Sequence, residues 1–498
     1  MSSIDAKGNF IAGSWEETKS PDGEIERRNP ADLSEVVFRT SWDAVAADRA
    51  VSRAREALPA WDRAGVEERR EYVERLPEIF ESRREELAET VAREVGKPLW
   101  EARREVDALS AKIDVMTDEG LEFTRERRPD QPSNGRWRYR PLGVLAVIGP
   151  YNFPLHLPHG HVVPALLNGN TVVIKPSELA GGSMQTYVEC LREAGFPDGV
   201  VNLVQGPAEV GRVLTEHRDV NGVLFTGSWK TGRAIKRQTV DHYWKLLALE
   251  MGGKNTSIVL EDADLEQAAY QITRASFLTT GQRCSATSRV VVREEVAGEF
   301  VDRFEALADR VTTGDPVEET VFMGPLASEG ALETFLEAQD PSGGAITPIR
   351  RGGRTRDDLN GYFVEPGIWL AEEVDATDEH QAREIFGPDV VVYPVDSDEA
   401  AVAAANATEY GLAMSVFTAD DQRFEELAYD LRAGVLNLNE STAGASSRLP
   451  FGGVKKSGNH RPSAVLAGQY CTYPQAQLRE SAGWDESEMA ERPLDLLR

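Results

Sequence analysis

The chain has 498 residues, of which 41% are hydrophobic, and carries 83 Asp and Glu against 55 Lys and Arg, a formal charge of −28. That length predicts two or three domains with sizeable cores. The acid excess argues against nucleic acid or anionic lipid as partners of the surface as a whole, and the lack of a run of about 18 apolar residues argues against a membrane span.

In chain order, the opening MSSIDAKGNF lacks the basic head and apolar run of a signal peptide. The first 125 residues predict mostly helix. WDAVAADRAVSRAREALPAW and EERREYVERLPEIFESRREELAETVAREVG space apolar residues three and four apart between charges, as solvated amphipathic helices do. GKPLWEARREVDALSAKIDVMTDEGLEF reads as another helix. Residues 125–141 are Pro-rich and polar, then alternate, which predicts a loop leading into a strand on a partner subunit. From residue 143 short apolar runs recur (GVLAVIGP, NTVVIKPS, GVVNLVQG, GVLFTG) between helix-length segments. Alternating strand and helix predicts a parallel sheet covered on both faces, with ligands at the carboxyl ends of its strands. A second series follows residue 251, with RVVVREE, DVVVYPV, MSVFTA and GVLNLN, and the tail offers a short strand in GQYCTYPQAQL.

The three cysteines, Cys190, Cys284 and Cys471, are odd in number and without framework spacing, which predicts no disulfides and a reducing, cytoplasmic location. Eleven lysines against 44 arginines, with so large an acid excess, predict a protein suited to high salt, where repulsion is screened.

Several residues can carry chemistry. Asn152, in GPYNFPL at a strand end, can donate to a developing oxyanion or merely cap a turn. His156, His159 and His161 lie close in HLPHGH, but no Cys or carboxylate nearby completes a metal set, so no metal is expected and packing or substrate contact is. Lys175, Ser177 and Glu178 end a strand, where ribose or phosphate oxygens can be held. A carboxylate there takes ribose hydroxyls and repels a 2′-phosphate, favouring NAD over NADP. Gly227 and Ser228 precede a helix whose free N–H groups suit pyrophosphate, with Gly232 permitting close packing. Glu250, an acid beside apolar residues, has the raised pKa of a base that works near neutrality. Glu384 and Phe386 lie in EIFGP before a strand. Cys284, in the small and polar stretch TTGQRCSATS, is a candidate nucleophile, while Cys190 and Cys471 read as core or packing.

Taken in order, GPYNFP, NTVVIKPSE, FTGS, LEMGGKN, GQRC, GYFVEPGIW, EIFGP and PFGGVKKSG resemble the NAD(P)-dependent aldehyde dehydrogenase superfamily over nearly the whole chain. The resemblance implies an α/β fold of two Rossmann-like domains plus a β-strand oligomerisation arm. It assigns 1–124 and 142–250 to the cofactor-binding domain, 251–460 to the catalytic domain, and 125–141 with 461–498 to the arm and tail. It implies a homodimer or homotetramer.

Carried over residue by residue, Cys284 matches the nucleophile, Glu250 the general base and Asn152 the oxyanion-binding amide. Lys175 and Glu178 match the adenosine-ribose contacts, with Ser177 beside them, and Gly227, Ser228 and Gly232 the pyrophosphate turn. Glu384 matches the nicotinamide-ribose carboxylate, with Phe386 beside the ring. The implied reaction is oxidation of an aldehyde to an acid through a cysteine thioester, with NAD as cofactor.

Finer likeness, including Tyr151 where many relatives carry Trp, points to a subgroup whose semialdehyde substrate, from arginine catabolism, carries two carboxylates remote from the aldehyde. His156, His159, His460 and Arg461 are then candidate anion contacts. Arg448 and residues 339–361 depart from the subgroup, so a neutral aliphatic or sugar-derived aldehyde stays open. Glu250 argues against a coenzyme A-acylating relative, and Cys284, Glu250 and Asn152 together argue against a catalytically silent one.

Overall fold

The structure, a computed structural model, describes residues 3–341 and 346–480. Two seven-stranded sheets form its frame. In the first, five parallel strands lie side by side in the order Leu246–Met251, Gly222–Gly227, Val144–Ile148, Thr171–Lys175 and Val201–Leu203. Asn9–Ile11 and Ser14–Glu16 extend it antiparallel. The central strand Val144–Ile148 is apolar throughout because both its faces are covered. Leu145 and Val147 enter one core while Val144, Ala146 and Ile148 enter the other.

The second sheet runs Thr347–Arg350, Gly367–Leu370, Asp389–Val395, Thr287–Arg293, Asn255–Val259, Ala413–Phe417 and Val435–Leu438, parallel except for the first. It splits its side chains the same way, Val291, Val391 and Tyr393 to one core and Val290, Val292, Val390 and Val392 to the other. Chain order reverses in the first sheet between Val144–Ile148 and Gly222–Gly227, where an open α/β sheet leaves a crevice at its strand ends.

The N-terminal region differs from its expected helical character. Residues 9–42 form four strands, including the hairpin Gly23–Asn29 with Asp32–Trp42, and helix begins only at Val45. The cause is local: Gly13 adopts φ +82°, and the Asn29-Pro30-Ala31-Asp32 turn closes the hairpin. From Val45 to Gly120 the chain is helical, ending with Leu99–Val115 and a π-helical turn, Met116–Gly120.

Gly135–Pro141 pairs antiparallel with Thr472–Leu478 along its whole length. This two-stranded ribbon joins neither large sheet. Residues 481–498 of the expected arm and tail lie outside the described residues. Among the described residues no helix is long and apolar enough to cross a membrane.

Candidate active site

A cavity of about 830 Å³ opens at the reversal point of the first sheet and reaches the second. The strand end Ile148 leads into Gly149–Asn152, Gly222–Gly227 leads into Ser228, and Leu246–Met251 brings Glu250. The second sheet's side supplies Cys284 from the loop before Thr287–Arg293, and Glu384 and Phe386 from the loop before Asp389–Val395.

The Cys284 loop is wound tightly. Thr279, Thr280 and Gly281 all take positive φ, a costly state for β-branched residues that persists only where surroundings enforce it. Glu101 enforces it by accepting the Thr279 N–H at 3.0 Å and the Thr279 hydroxyl, and it also pairs with Arg283. Thr280 Oγ1 donates to the Gly324 carbonyl at 2.9 Å. A Cβ on Gly281 would fall 2.3 Å from Gly387, so only glycine passes there. Past the cysteine, Asn255 Nδ2 donates to the Cys284 and Ala286 carbonyls, each at 2.8 Å.

Cys284 itself is half-buried. Burial pushes its thiol up to about 12; the Glu250 and Glu384 carboxylates add to the rise and Arg283 opposes it. Asn152 is buried, and its Nδ2 donates to the Gln282 carbonyl at 2.8 Å, which holds the amide against the cysteine loop. Burial drives Glu250 well above the usual carboxylate range, with Lys112 opposing, and its Oε2 has no hydrogen-bond partner. Glu384 is raised to about 7 by burial while its Oε1 accepts the Gly253 N–H at 2.9 Å. Gly252 makes room for that carboxylate, since a Cβ would lie 1.9 Å from Glu384 Oε2. Phe386, at φ +55°, sets its ring edge-on to Tyr151 with centroids 6.1 Å apart.

On the first sheet's side the donor set fits a dinucleotide. Ser228 caps the helix Trp229–Gln238, accepting the Thr231 N–H at 3.2 Å, so that helix N-terminus faces the cavity. Lys175 and Glu178 stand 3.7 Å apart at the end of their strand, with Ser177 between them in sequence.

All the sequence-derived site residues line this one cavity except Gly232. Gly232 is set back: a Cβ there would fall 2.4 Å from Met251 Sδ, so it is a packing glycine of the helix–sheet contact and not part of the cavity wall.

The histidines need correction as anion contacts. His159 is fully buried between Tyr187 Oη at 2.9 Å and the Leu109 carbonyl at 3.0 Å. His161 lines the cavity but turns to Tyr470 Oη at 2.8 Å and Thr226 Oγ1 at 3.3 Å. Burial lowers both to about 3, so both are neutral and neither can pair with an anion. His156, His460 and Arg461 do not line the cavity. Among the described residues no three potential ligands stand together for a metal ion.

Sequence reasoning predicted the helix Leu99–Val115 but missed its part in the site. Glu101, Glu105 and Lys112 are buried along it. Glu105 pairs with buried Lys97 and accepts the N–H groups of Leu155 at 2.9 Å and His156 at 3.1 Å. One helix thus fixes both the Asn152 loop and the Cys284 loop. The spacing of four and seven residues between these charges was the available signal.

Comparison with known proteins defines the class. The aldehyde dehydrogenase family model matches residues 15–476. The chain belongs to this family and is an oxidoreductase, with the two Rossmann-like α/β sheets that its relatives share. It is 40% identical over 462 residues to N-succinylglutamate 5-semialdehyde dehydrogenase of Novosphingobium aromaticivorans, covering 91% of this chain and 95% of that one. The protein of the same name from Chromobacterium violaceum is 40% identical over 485 residues, 96% of each chain. Among solved structures, an NAD-dependent aldehyde dehydrogenase from Sinorhizobium meliloti superposes with a TM-score of 0.90 at 30% identity, over 97% of this chain and 96% of that one. Betaine aldehyde dehydrogenase from Staphylococcus aureus in complex with NAD+ gives 0.89 at 28%, over 96% of each.

Proposed function

We propose that the protein oxidises N-succinylglutamate 5-semialdehyde to N-succinylglutamate with NAD. The observation that carries the chemistry is one cavity lined by Cys284, Glu250 and Asn152. The substrate reading rests on the 40% identity to relatives bearing that name.

The Cys284 thiolate adds to the aldehyde carbon, giving a thiohemiacetal. Its oxyanion takes hydrogen bonds from Asn152 Nδ2 and the Cys284 N–H. Glu384 and Phe386 would hold the nicotinamide end of NAD, which when bound would supply the acceptor for the hydride leaving this carbon. A thioester on Cys284 remains. Glu250, ionised, takes a proton from water; the hydroxide adds to the thioester carbon, the C–S bond breaks and the acid leaves. The thiolate is restored, and Glu250 returns its proton to solvent. The apolar burial that raises Glu250 makes it a stronger base than an ordinary carboxylate.

Lys175, Ser177 and Glu178 hold the adenosine ribose in this reading, Gly227 and Ser228 the pyrophosphate, and Glu384 with Phe386 the nicotinamide end. The Glu178 carboxylate favours NAD over NADP by repelling a 2′-phosphate. We assign 1–124 and 142–250 to the cofactor domain and 251–460 to the catalytic domain. The ribbon Gly135–Pro141 with Thr472–Leu478, which exposes Tyr473 and Leu478, builds a homodimer or homotetramer. An isolated pair of strands is only marginally stable in water, which favours a partner surface. The free cysteines suit the reducing cytoplasm.

The test is NADH production at high salt with N-succinylglutamate 5-semialdehyde, glutamate 5-semialdehyde and neutral aliphatic and sugar-derived aldehydes, each with and without coenzyme A. Preference for the first, independent of coenzyme A, is expected. Equal rates on all would overturn the substrate reading.

A further inference from the structure

Lys112 lies on the helix Leu99–Val115, is 5% exposed, and lines the cavity with Cys284, Glu250 and Asn152. Its Nζ occupies the space a side chain at residue 160 would need: a Cβ on Gly160 would fall 2.7 Å from that nitrogen. The neighbouring cations are committed, buried Lys97 to Glu105 and half-buried Arg283 to Glu101. Lys112 makes no hydrogen bond or ion pair with any described residue. A buried ammonium with no hydrogen-bonded partner, and only the Coulombic pull of Glu250 upon it, costs more desolvation than it regains, so its use lies in what enters the cavity.

Three other cations line the same cavity. Lys175 stands beside Glu178, and Arg212 and Lys230 belong to the helices Ala208–Glu216 and Trp229–Gln238, which pack against the first sheet. Lys112 is therefore the one cation, among the described lining residues, that shares the Cys284 end with the acid Glu250. A carboxylate of the substrate that reaches this end of the cavity therefore has its counter-charge in Lys112.

We propose that Lys112 is the specificity-determining residue of the aldehyde site, receiving a carboxylate of the substrate on the ammonium for which Gly160 leaves room. This rests on the carboxylate-bearing substrate proposed above. Burial lowers the ammonium to about 8, against the pull of Glu250, so it remains mostly charged at neutral pH. Glycine at 160 is part of the device, because any larger side chain would displace the Nζ.

The test compares kcat/KM for N-succinylglutamate 5-semialdehyde with that for butanal, and for succinic semialdehyde with that for butanal, in the wild type, Lys112→Met and Lys112→Gln. Any effect of Lys112 on Glu250 acts on every aldehyde and cancels in each ratio. Removing an unpartnered buried charge favours folding, and thermal melts of both variants check it. The expected result is an anionic-to-neutral ratio at least about tenfold lower in both variants, through a raised KM for the anionic aldehydes. N-Succinylglutamate should also lose competitive inhibition of butanal oxidation.

Unchanged ratios with kcat lowered equally on all aldehydes would overturn the proposal and leave Lys112 as a partner of Glu250 alone. A Lys112-dependent preference for succinic semialdehyde, with no turnover of N-succinylglutamate 5-semialdehyde, would support Lys112 and overturn only the choice of substrate. No preference for anionic aldehydes in the wild type would overturn both.

Discussion

Cys284 is held in a contradiction that defines how it should respond to pH. The thiolate is the nucleophile, yet burial and two acidic neighbours raise the thiol to about 12 in the protein without cofactor. The protonated form is thus favoured through neutrality, and the reactive fraction should grow as pH rises. Alkylation of Cys284 by iodoacetamide should therefore be slow at pH 7 and climb about tenfold per pH unit up to at least pH 9, followed by mass spectrometry of the Cys284 peptide. A plateau below pH 8 would contradict the burial reading. Cys190 and Cys471, fully buried and raised in the same way, should stay unmodified in the folded protein. NAD+ should accelerate the modification, because a pyridinium beside the sulfur favours the anion.

At the scale of elements, the helix Leu99–Val115 sets the geometry of both catalytic loops. Glu105 accepts two N–H groups of the Asn152 loop while neutralising Lys97, and Glu101 secures the wound Thr279–Thr280 turn. Removing one member of a buried pair leaves the other charge stranded, at a cost of about 3–5 kcal/mol. Glu105→Gln should lower stability to denaturant by that order and reduce activity with it, as urea unfolding and kcat will show. A loss under 1 kcal/mol with full activity would remove the helix from its positioning role.

The legibility of the sequence divides along the same line. Val144–Ile148, Thr171–Lys175 and Gly222–Gly227 were readable because a strand buried on both faces must be apolar throughout, and the residues just beyond them fell on the cavity rim for the same reason. Glu101, Glu105 and Lys112 were not readable. Charges on an amphipathic helix look solvated until loops from residues 150 and 280 close over them. The N-terminal hairpin was missed because Glu24, Glu26, Arg27 and Arg28 break its apolar alternation. Gly232, which the resemblance grouped with the pyrophosphate turn, has the close-packing role that its place in the sequence predicts, against Met251 and Phe225.

At the scale of the whole molecule, a net charge of −28 sets the response to salt. Surface arginines bridge several acids at once: Arg423 reaches Glu261 and Asp398, which Arg293 also contacts. Exposed pairs of this kind contribute about 0–1 kcal/mol each, too little to offset repulsion spread over the surface. Screening that repulsion should stabilise the fold. The melting temperature should rise as KCl increases from about 0.1 M, where the screening length is near 10 Å, to about 1 M, where it is near 3 Å. A flat or falling curve would show that the acid excess has no such role.

The central claim is that Cys284 carries the acyl group and Glu250 releases it. Its most direct test is acid quench of Glu250→Gln after mixing with NAD+ and aldehyde, followed by mass spectrometry. The expected result is one equivalent of NADH in a burst, slow turnover after it, and the acyl mass on the peptide containing Cys284. NADH formed with no adduct, or with the adduct on another residue, would contradict it.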